Sequence, residues 1–275
     1  MTNSVNTNAG AMIALQNLNR TNMELEQVQS RINTGLSVAG AKDNGGIYAI
    51  AQRMRSEVSG YKAVQDSLNR AVSTVDVALA AGEAISDLII EMKEKALAAA
   101  DTSLDAASRT ALNEDFKALR DQITTIVSNA EFNGTNLINN STASITALAN
   151  ADGSNTITVL DENLTLTGSV ITIAATASFG TATQADTIAS QLGTSLDNVN
   201  ASLARLGTKS KALEIHSTFV TKLSDALTEG IGNLVDADLA RESAKLQSLQ
   251  VKQQLGIQAL SIANQSPQSI LSYFR

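Results

Sequence analysis

Residues 61–99 read YKAVQDSLNRAVSTVDVALAAGEAISDLIIEMKEKALAA, and the spacing of their apolar side chains decides the fold. Tyr61, Leu68, Val75, Gly82, Ile89 and Ala96 form one row at seven-residue intervals, and Val64, Ala71, Ala78, Ile85, Met92 and Ala99 form a second. No polar side chain interrupts either row. An α-helix turns once in about 3.6 residues, so a heptad pattern sustained this long predicts one helix of roughly 60 Å carrying a coiled-coil seam. The many small residues in the rows predict the close approach of a partner helix.

Two partners follow in the chain. Cap-type residues from Asp101 to Asp105 break the pattern, after which Leu112, Phe116, Leu119, Ile123, Ile126 and Ala130 recur at alternating steps of four and three. Two long helices joined by so short a break lie antiparallel. Periodicity returns at Ile188 and continues through Leu192, Val199, Leu206, Leu213, Val220 and Leu227, which predicts the third helix of a bundle. The bundle seam is expected at Leu68, Val75, Ile85, Ile89 and Met92, with Leu206 and Leu213 opposite.

Between the second and third helices the composition turns to Ser, Thr, Asn, Gly and Ala over about residues 139–184. Thr156–Val159 and Val170–Ile173 alternate as strands do, with Leu164–Thr167 between them, so one or two β-hairpins are expected here and nowhere else. The turn signal Asn133-Gly134 ends the second helix.

Both ends of the chain read as amphipathic helices. Near the start the larger apolar residues include Met12, Leu15, Leu18, Leu25, Val28, Ile32 and Leu36, followed by Gly35, Gly40, Gly45 and Gly46 in what reads as a bend. After Gly230 and Gly232 a last helix is expected over about residues 235–264, with Leu239, Leu246, Leu249, Ile257 and Leu260 as its stripe. Leu255, Ala259 and Ile262 lie off that stripe, so this helix has more than one apolar face and needs more than one neighbour.

Composition agrees with long helices. Apolar residues make up 43% of the 275, yet aromatics are 3%, Trp is absent and Pro occurs once, at Pro267. Cysteine is absent, which excludes disulfides, thiolate metal sites and a Cys nucleophile. A net charge of −7 with no basic stripe argues against nucleic acid as a partner. No apolar stretch is long enough to span a bilayer, so membrane insertion is not expected, and the first residues have neither a basic nor a continuous apolar segment of signal-peptide type.

Little in the chain suggests chemistry. The single histidine, His216, rules out the paired-histidine zinc motif and a usable Ser-His-Asp triad, and reads as a surface or boundary residue on a helix. Asp236, Asp238 and Glu242 cluster as a possible acid pair or hard-cation site, but negative charge belongs at a helix N-terminus on its own account. Lys42 lies among glycines without the phosphate-loop pattern. No enzyme activity and no cofactor are expected.

Three stretches converge on one family. Arg31-Ile32-Asn33-Thr34-Gly35-Leu36 with Ala41-Lys42-Asp43-Asn44-Gly45-Gly46, then Phe132-Asn133-Gly134-Thr135-Asn136-Leu137, and finally Asp236-Ala237-Asp238-Leu239-Ala240 leading to Ala263-Asn264-Gln265-Ser266-Pro267-Gln268, together resemble the bacterial flagellins, subunits of the flagellar filament. The resemblance covers roughly residues 1–140 and 195–275, and the spacer is too short for outer domains.

It implies a mainly α chain: a long antiparallel helical bundle or coiled coil with a small β-hairpin insertion, and terminal helices paired as the inner layer of a helical polymer. Residues 1–42 and 235–275 then form a discontinuous terminal-helix domain and residues 43–234 the bundle domain. Assembly contacts are expected at Leu18, Leu25, Ile32, Leu239, Leu246, Leu249 and Leu260. The implied partners are further copies of the chain and sibling flagellins, the flagellar type III export apparatus with an export chaperone, and the hook-filament junction and cap proteins. A hook-filament junction protein is the nearest alternative, and a secreted adhesin or binding module a more distant one.

Overall fold

The computed structural model describes residues 7–271, with side chains as far as residue 265. Helix α1 is Ala9–Thr34, α2 Gly45–Ala99, α3 Ala106–Asn129, α4 Ala182–Val235 and α5 Leu239–Leu271, and strands β1 Ser144–Leu148 and β2 Thr156–Leu160 lie between α3 and α4. The fold is therefore mainly α with one small antiparallel hairpin, in which Ser144 pairs with Leu160 and Leu148 with Thr156. The chain divides into two compact units, Met1–Ser56 with Ala226–Arg275, and Glu57–Asp225.

The unit Glu57–Asp225 is the bundle. Every residue of the two heptad rows on α2 is buried except Tyr61, which is half-buried. Opposite it on α4, Leu192, Val199, Leu206, Leu213 and Val220 are buried in the same core. The second row on α4 is made of serines instead: Ser195, Ser202 and Ser210 are all buried. Small side chains there let the helices approach closely, and each hydroxyl finds a partner, as a buried polar group must. Ser195 Oγ accepts from Thr172 N at 3.2 Å, Ser202 Oγ from Arg205 Nη2 at 3.0 Å, and Ser210 Oγ donates to Asp76 at 3.4 Å. The helices run antiparallel, since Gln65 bonds Thr221 at 2.8 Å while Gly82 lies against Leu203.

The turn from α2 into α3 is clasped by Arg109. Its Nε donates to Ala99 O at 2.9 Å and its Nη2 to Asp101 O and Leu104 O at 2.9 and 3.1 Å, supplying donors to carbonyls that a helix end leaves without partners. Asp105 caps α3 by accepting from Ser108 N at 2.6 Å. On α3, Phe116, Ile123, Val127 and Asn113 are buried, whereas Leu112, Leu119 and Ile126 are only half-buried. Phe116 meets Phe179 at a ring-centroid distance of 5.2 Å.

Several expectations are corrected. Val170–Ile173 is not a strand: it has one isolated bridge, Leu166 to Ile171. Val170, Ile171 and Ile173 are all buried in the bundle core, and two adjacent buried side chains do not fit strand alternation. The partner of Thr156–Leu160 is Ser144–Leu148, a segment with no strand signal in the sequence analysis above. α4 starts before Ile188, at Ala182, behind a capping box: Thr181 Oγ1 accepts from Gln184 N at 3.3 Å and Gln184 Oε1 accepts from Thr181 N at 3.2 Å.

The glycines also punctuate differently from expectation. Gly45 and Gly46 open α2 rather than lying in a bend, with Asn44 Oδ1 accepting from Ile47 N at 3.1 Å. α4 runs through Gly230 and Gly232 to Val235. The true break falls at residues 236–238, and α5 continues beyond Asn264 through Pro267 to Leu271.

In the unit Met1–Ser56 with Ala226–Arg275, the break after α4 is determined by pairing to a distant strand of backbone. Ser37 N donates to Val235 O at 2.7 Å and Ala237 N to Gly35 O at 2.8 Å, joining the link after α1 to the link before α5. Val38, Ala51 and Val235 are buried beside this junction, with Leu36, Ile47, Tyr48, Ile231 and Leu234 packed around them.

Candidate assembly interface

The two terminal helices lie antiparallel, and polar contacts run along the pair. Asn8, which caps α1, donates from Nδ2 to Ala263 O at 2.6 Å. Gln253 Nε2 donates to Asn22 Oδ1 at 2.8 Å, and Arg31 Nη1 to Glu242 Oε1 at 3.2 Å. Between the first two, Gly256 lets α5 rest on Leu18: a Cβ there would stand 3.3 Å from Leu18 Cδ1.

Of the acid cluster weighed from the sequence, Asp238 caps α5 by accepting from Ala240 N and Arg241 N at 3.0 and 3.1 Å, and Glu242 pairs with Arg31. Both are structural uses. Arg31 Nε and Glu242 Oε2 are buried without a hydrogen bond, so the ion pair is anchored by a single contact.

The apolar residues expected at this interface separate into three groups. Leu249 is buried, and Leu18, Leu25, Ile32, Leu246 and Leu260 are half-buried. Leu239 is 49% exposed, at the first turn of α5, and is not drawn into the pair. Val28, on the same stripe of α1, is the most deeply buried residue of that helix. The residues that the sequence reading missed are the polar ones, Asn22, Arg31 and Gln253, because a partner 211 or 231 residues away along the chain leaves no local signal.

Pairing leaves a second apolar surface uncovered. Met12, Ile13, Leu15 and Met23 on α1, and Val251, Leu255, Ile257 and Ile262 on α5, are exposed. Ile257, on the stripe the sequence predicts, and Leu255 and Ile262, off it, are all exposed. Exposed apolar groups in this number mark an association surface.

All seven residues expected on the bundle seam, Leu68, Val75, Ile85, Ile89, Met92, Leu206 and Leu213, lie in the bundle core. His216 is half-buried, not a free surface residue. Its Nε2 donates to Ala149 O at 2.7 Å, tying α4 to the turn between the strands, and its ring lies 5.8 Å from that of Phe219. Among the described residues no group of three or more His, Cys, Asp or Glu could hold a metal ion, and no helix is long and apolar enough to cross a membrane.

Asp161 is shifted in the opposite direction from Asp101, Asp105 and Asp152, whose carboxylates are stabilised by local hydrogen bonds. Burial raises its pKa above the ordinary carboxylate value, only partly offset by the nearby Asn140 backbone, and the neighbouring charge of Glu162 adds to the rise. Glu162 itself is held by Arg205 in a bidentate pair at 2.7 and 2.6 Å. These groups brace the loop against α4 and include no nucleophile or base pair suited to catalysis.

Paired ends with apolar faces left over, on a chain whose middle is a closed bundle, define a self-assembling structural subunit. The comparisons specify the family. The model of the bacterial flagellin N-terminal helical region matches residues 5–143, and that of the C-terminal helical region matches residues 188–274. Flagellin FljM of Caulobacter vibrioides is 59% identical over 273 residues, covering 99% of each chain, and a flagellin of Brucella melitensis is 36% identical with 99% of each covered. Among solved structures, the fold is similar to the crystal structure of Bacillus cereus flagellin, with a TM-score of 0.50 at 24% identity over 56% of this chain and 88% of that one. It is also similar to a putative flagellar hook-associated protein from Vibrio parahaemolyticus, with a TM-score of 0.58 at 13% identity over 70% of this chain and 100% of that one.

The chain belongs to the bacterial flagellins. It is a structural protein and not an enzyme, a subunit that polymerises with itself and with sibling flagellins into the extracellular flagellar filament. The flagellin matches favour this over a hook-filament junction protein, whose likeness is one of fold alone.

Proposed function

We propose that the terminal helices carry assembly and the bundle supports them: residues 1–42 and 235–275 act as an inner domain that packs against other copies, and residues 43–234 as a stable second domain that includes the hairpin segment 139–184. The observation that supports this is the apolar face that α1 and α5 keep after pairing with each other, with Met23 63% and Ile262 70% exposed. Covering such faces yields roughly 25 cal/mol per Å² of apolar area, which an isolated subunit forgoes. Leu18, Leu25, Ile32, Leu246, Leu249 and Leu260 hold the pair together, and the exposed residues, Leu239 among them, meet the neighbours. Residues 1–6 and 272–275 of the inner domain lie outside the described residues.

The same reading assigns the partners of the chain's path. It passes through the flagellar type III export apparatus with an export chaperone holding its apolar ends, is seated on hook-filament junction proteins, and is added beneath a cap protein. Polymerisation then orders the terminal helices further, because helix formation without tertiary contacts is marginal in water.

Deleting residues 236–275 tests the assignment. The deleted chain is expected to keep a cooperatively melting bundle and to form no filaments; normal filaments in electron micrographs overturn it. Circular dichroism of monomer and polymer tests the ordering step, since helix content must rise on polymerisation.

A further inference from the structure

Two methionines stand on the face of α1 that pairing with α5 leaves open. Met12 is 57% and Met23 63% exposed. At about 3.6 residues per turn, side chains at positions 12 and 23 leave the helix within about 20° of each other, roughly 16 Å apart along its axis. The covered side of α1, marked by Leu18 against Gly256 and by buried Val28, lies about 120–160° around the helix from Met12. The two methionines therefore share one side of α1, opposite the pairing stripe.

Sulfur sets these two residues apart from their neighbours. The chain has no Cys, no Trp and five Met, so methionine sulfur is the group that a peroxide attacks most readily. Leu15, Leu255 and Ile262, exposed on the same helix pair, are hydrocarbon and inert to it. The other methionines among the described residues are better covered. Met92 is fully buried in the bundle core, and Met54 is half-buried with its Cε beside Gly230. Met1 lies outside the described residues.

We infer that Met12 and Met23 form a paired oxidation site that is open in the free subunit and closed in the polymer, and that its sulfoxide form does not assemble. This rests on the assembly reading above and adds to it a chemical control of the same face. The oxidant is a peroxide. The sulfur lone pair attacks one peroxide oxygen, the S–O bond forms as the O–O bond breaks, and the other oxygen leaves as water with both protons of hydrogen peroxide. Sulfur is oxidised by two electrons and the peroxide is reduced. The product carries a strong hydrogen-bond acceptor where the thioether had none, and covering that oxygen without a donor is unfavourable. Because both positions already face solvent in the subunit, the oxygen enters without disturbing the α1–α5 pair or the bundle. Oxidation thus acts on assembly and leaves folding alone.

Hydrogen peroxide treatment of the full-length, unpolymerised chain tests this, with peptide mass spectrometry locating the added oxygen, circular dichroism following folding, and sedimentation with negative-stain microscopy measuring polymer. Met12 and Met23 are expected to gain one oxygen each well before Met54, with Met92 unmodified and helix signal unchanged. The critical concentration for polymerisation is expected to rise about tenfold or more, and reduction by methionine sulfoxide reductases to return it to within about threefold of the untreated chain. Met12→Leu with Met23→Leu is expected to polymerise like the parent and to keep doing so after peroxide. In filaments formed first and treated afterwards, both sulfurs are expected to react at least about tenfold more slowly than in the subunit, since covered methionines are shielded. A chain oxidised at both positions that polymerises like the parent overturns the proposal. So does a double leucine variant that peroxide inactivates as it does the parent, or an oxidised chain that reduction fails to restore. Filaments whose Met12 and Met23 react as fast as in the subunit overturn the assembly reading itself, since neighbours then leave this face open, and the proposal falls with it. An untreated parent that forms no polymer under any condition does the same.

Discussion

Gly60 of α2 and Ala151, in the turn between the two strands, approach so closely that a Cβ on Gly60 would stand 2.8 Å from both the Cβ and the carbonyl oxygen of Ala151. The hairpin tip is thus seated on bare helix backbone, while His216 holds it from α4 through Ala149 O. A helix ordinarily gains about 1 kcal/mol when an interior glycine becomes alanine. Here the neighbouring atom is backbone and cannot swing aside, so Gly60→Ala is expected to destabilise the bundle by about 1–2 kcal/mol. Gly207, on α4 with nothing within 4 Å of its would-be Cβ, is the control: Gly207→Ala is expected to stabilise by up to about 1 kcal/mol. Urea unfolding followed by helix signal measures both, and equal effects at the two sites would refute the close-approach argument.

Asn113 makes a second long-range attachment. Its Oδ1 accepts from Phe179 N at 2.8 Å, in a buried position that anchors the segment leading into α4 beside the Phe116–Phe179 contact. Asn113→Ala leaves that N–H buried and unpaired, at a cost of about 1–3 kcal/mol. Chemical denaturation measures the loss; a change below about 0.5 kcal/mol shows that the segment finds another acceptor.

The pair Arg31–Glu242 should behave non-additively. Removing either partner leaves the other charge half-buried and unpaired, so Arg31→Met or Glu242→Met alone is expected to loosen α1 and α5 together by about 1–3 kcal/mol. The double change also removes the two polar atoms that now lack partners, and is expected to return stability to the parent level or above it. Amide hydrogen exchange along both helices is the readout. Additive losses would contradict the prediction.

Asp161 gives a pH dependence whose sign is fixed by its environment. Its folded pKa is raised above the unfolded value, so the folded state holds the proton more tightly. The favourable contribution is complete below the unfolded pKa and is lost as pH rises through the folded pKa. Asp161→Asn cannot ionise, and is therefore expected to be more stable than the parent at pH 7 and equal to it near pH 3. Thermal melts across that range measure the difference, and a gap that widens on acidification would show the sign to be wrong.

The heptad rows of residues 61–99 could be read correctly because a helix repeats its environment along itself: a buried seam requires an apolar side chain at each return to the partner. The same holds for Leu192 to Val220 on α4. The serines opposite are not legible in the same way, because a small hydroxyl at Ser195 or Ser210 looks solvent-facing until its distant donor or acceptor is known. Val170–Ile173 has strand composition, yet packing buries Val170 and Ile171 side by side and sends Thr172 N to Ser195. Gly230 and Gly232 look like helix breakers, but α4 runs through both, and Gly230 packs beside the terminal methyl of Met54.

By itself, then, the sequence determined that this flagellin is built of long helices, which faces of α2 and α4 are buried, and, through the motifs near residues 31–46, 132–137 and 236–268, to which family it belongs. Those properties are local, repeating every turn or held in short runs of residues. Tertiary structure alone decided the end of α4 at Val235, the partnership of Arg31 with Glu242 and Asn22 with Gln253, the strand that pairs with Thr156–Leu160, and the division of the terminal helices into a paired face and an exposed one. All but the strand pair depend on groups far apart in the chain, where the free energy of a hydrogen bond or a covered methyl is realised only after the fold has brought them together.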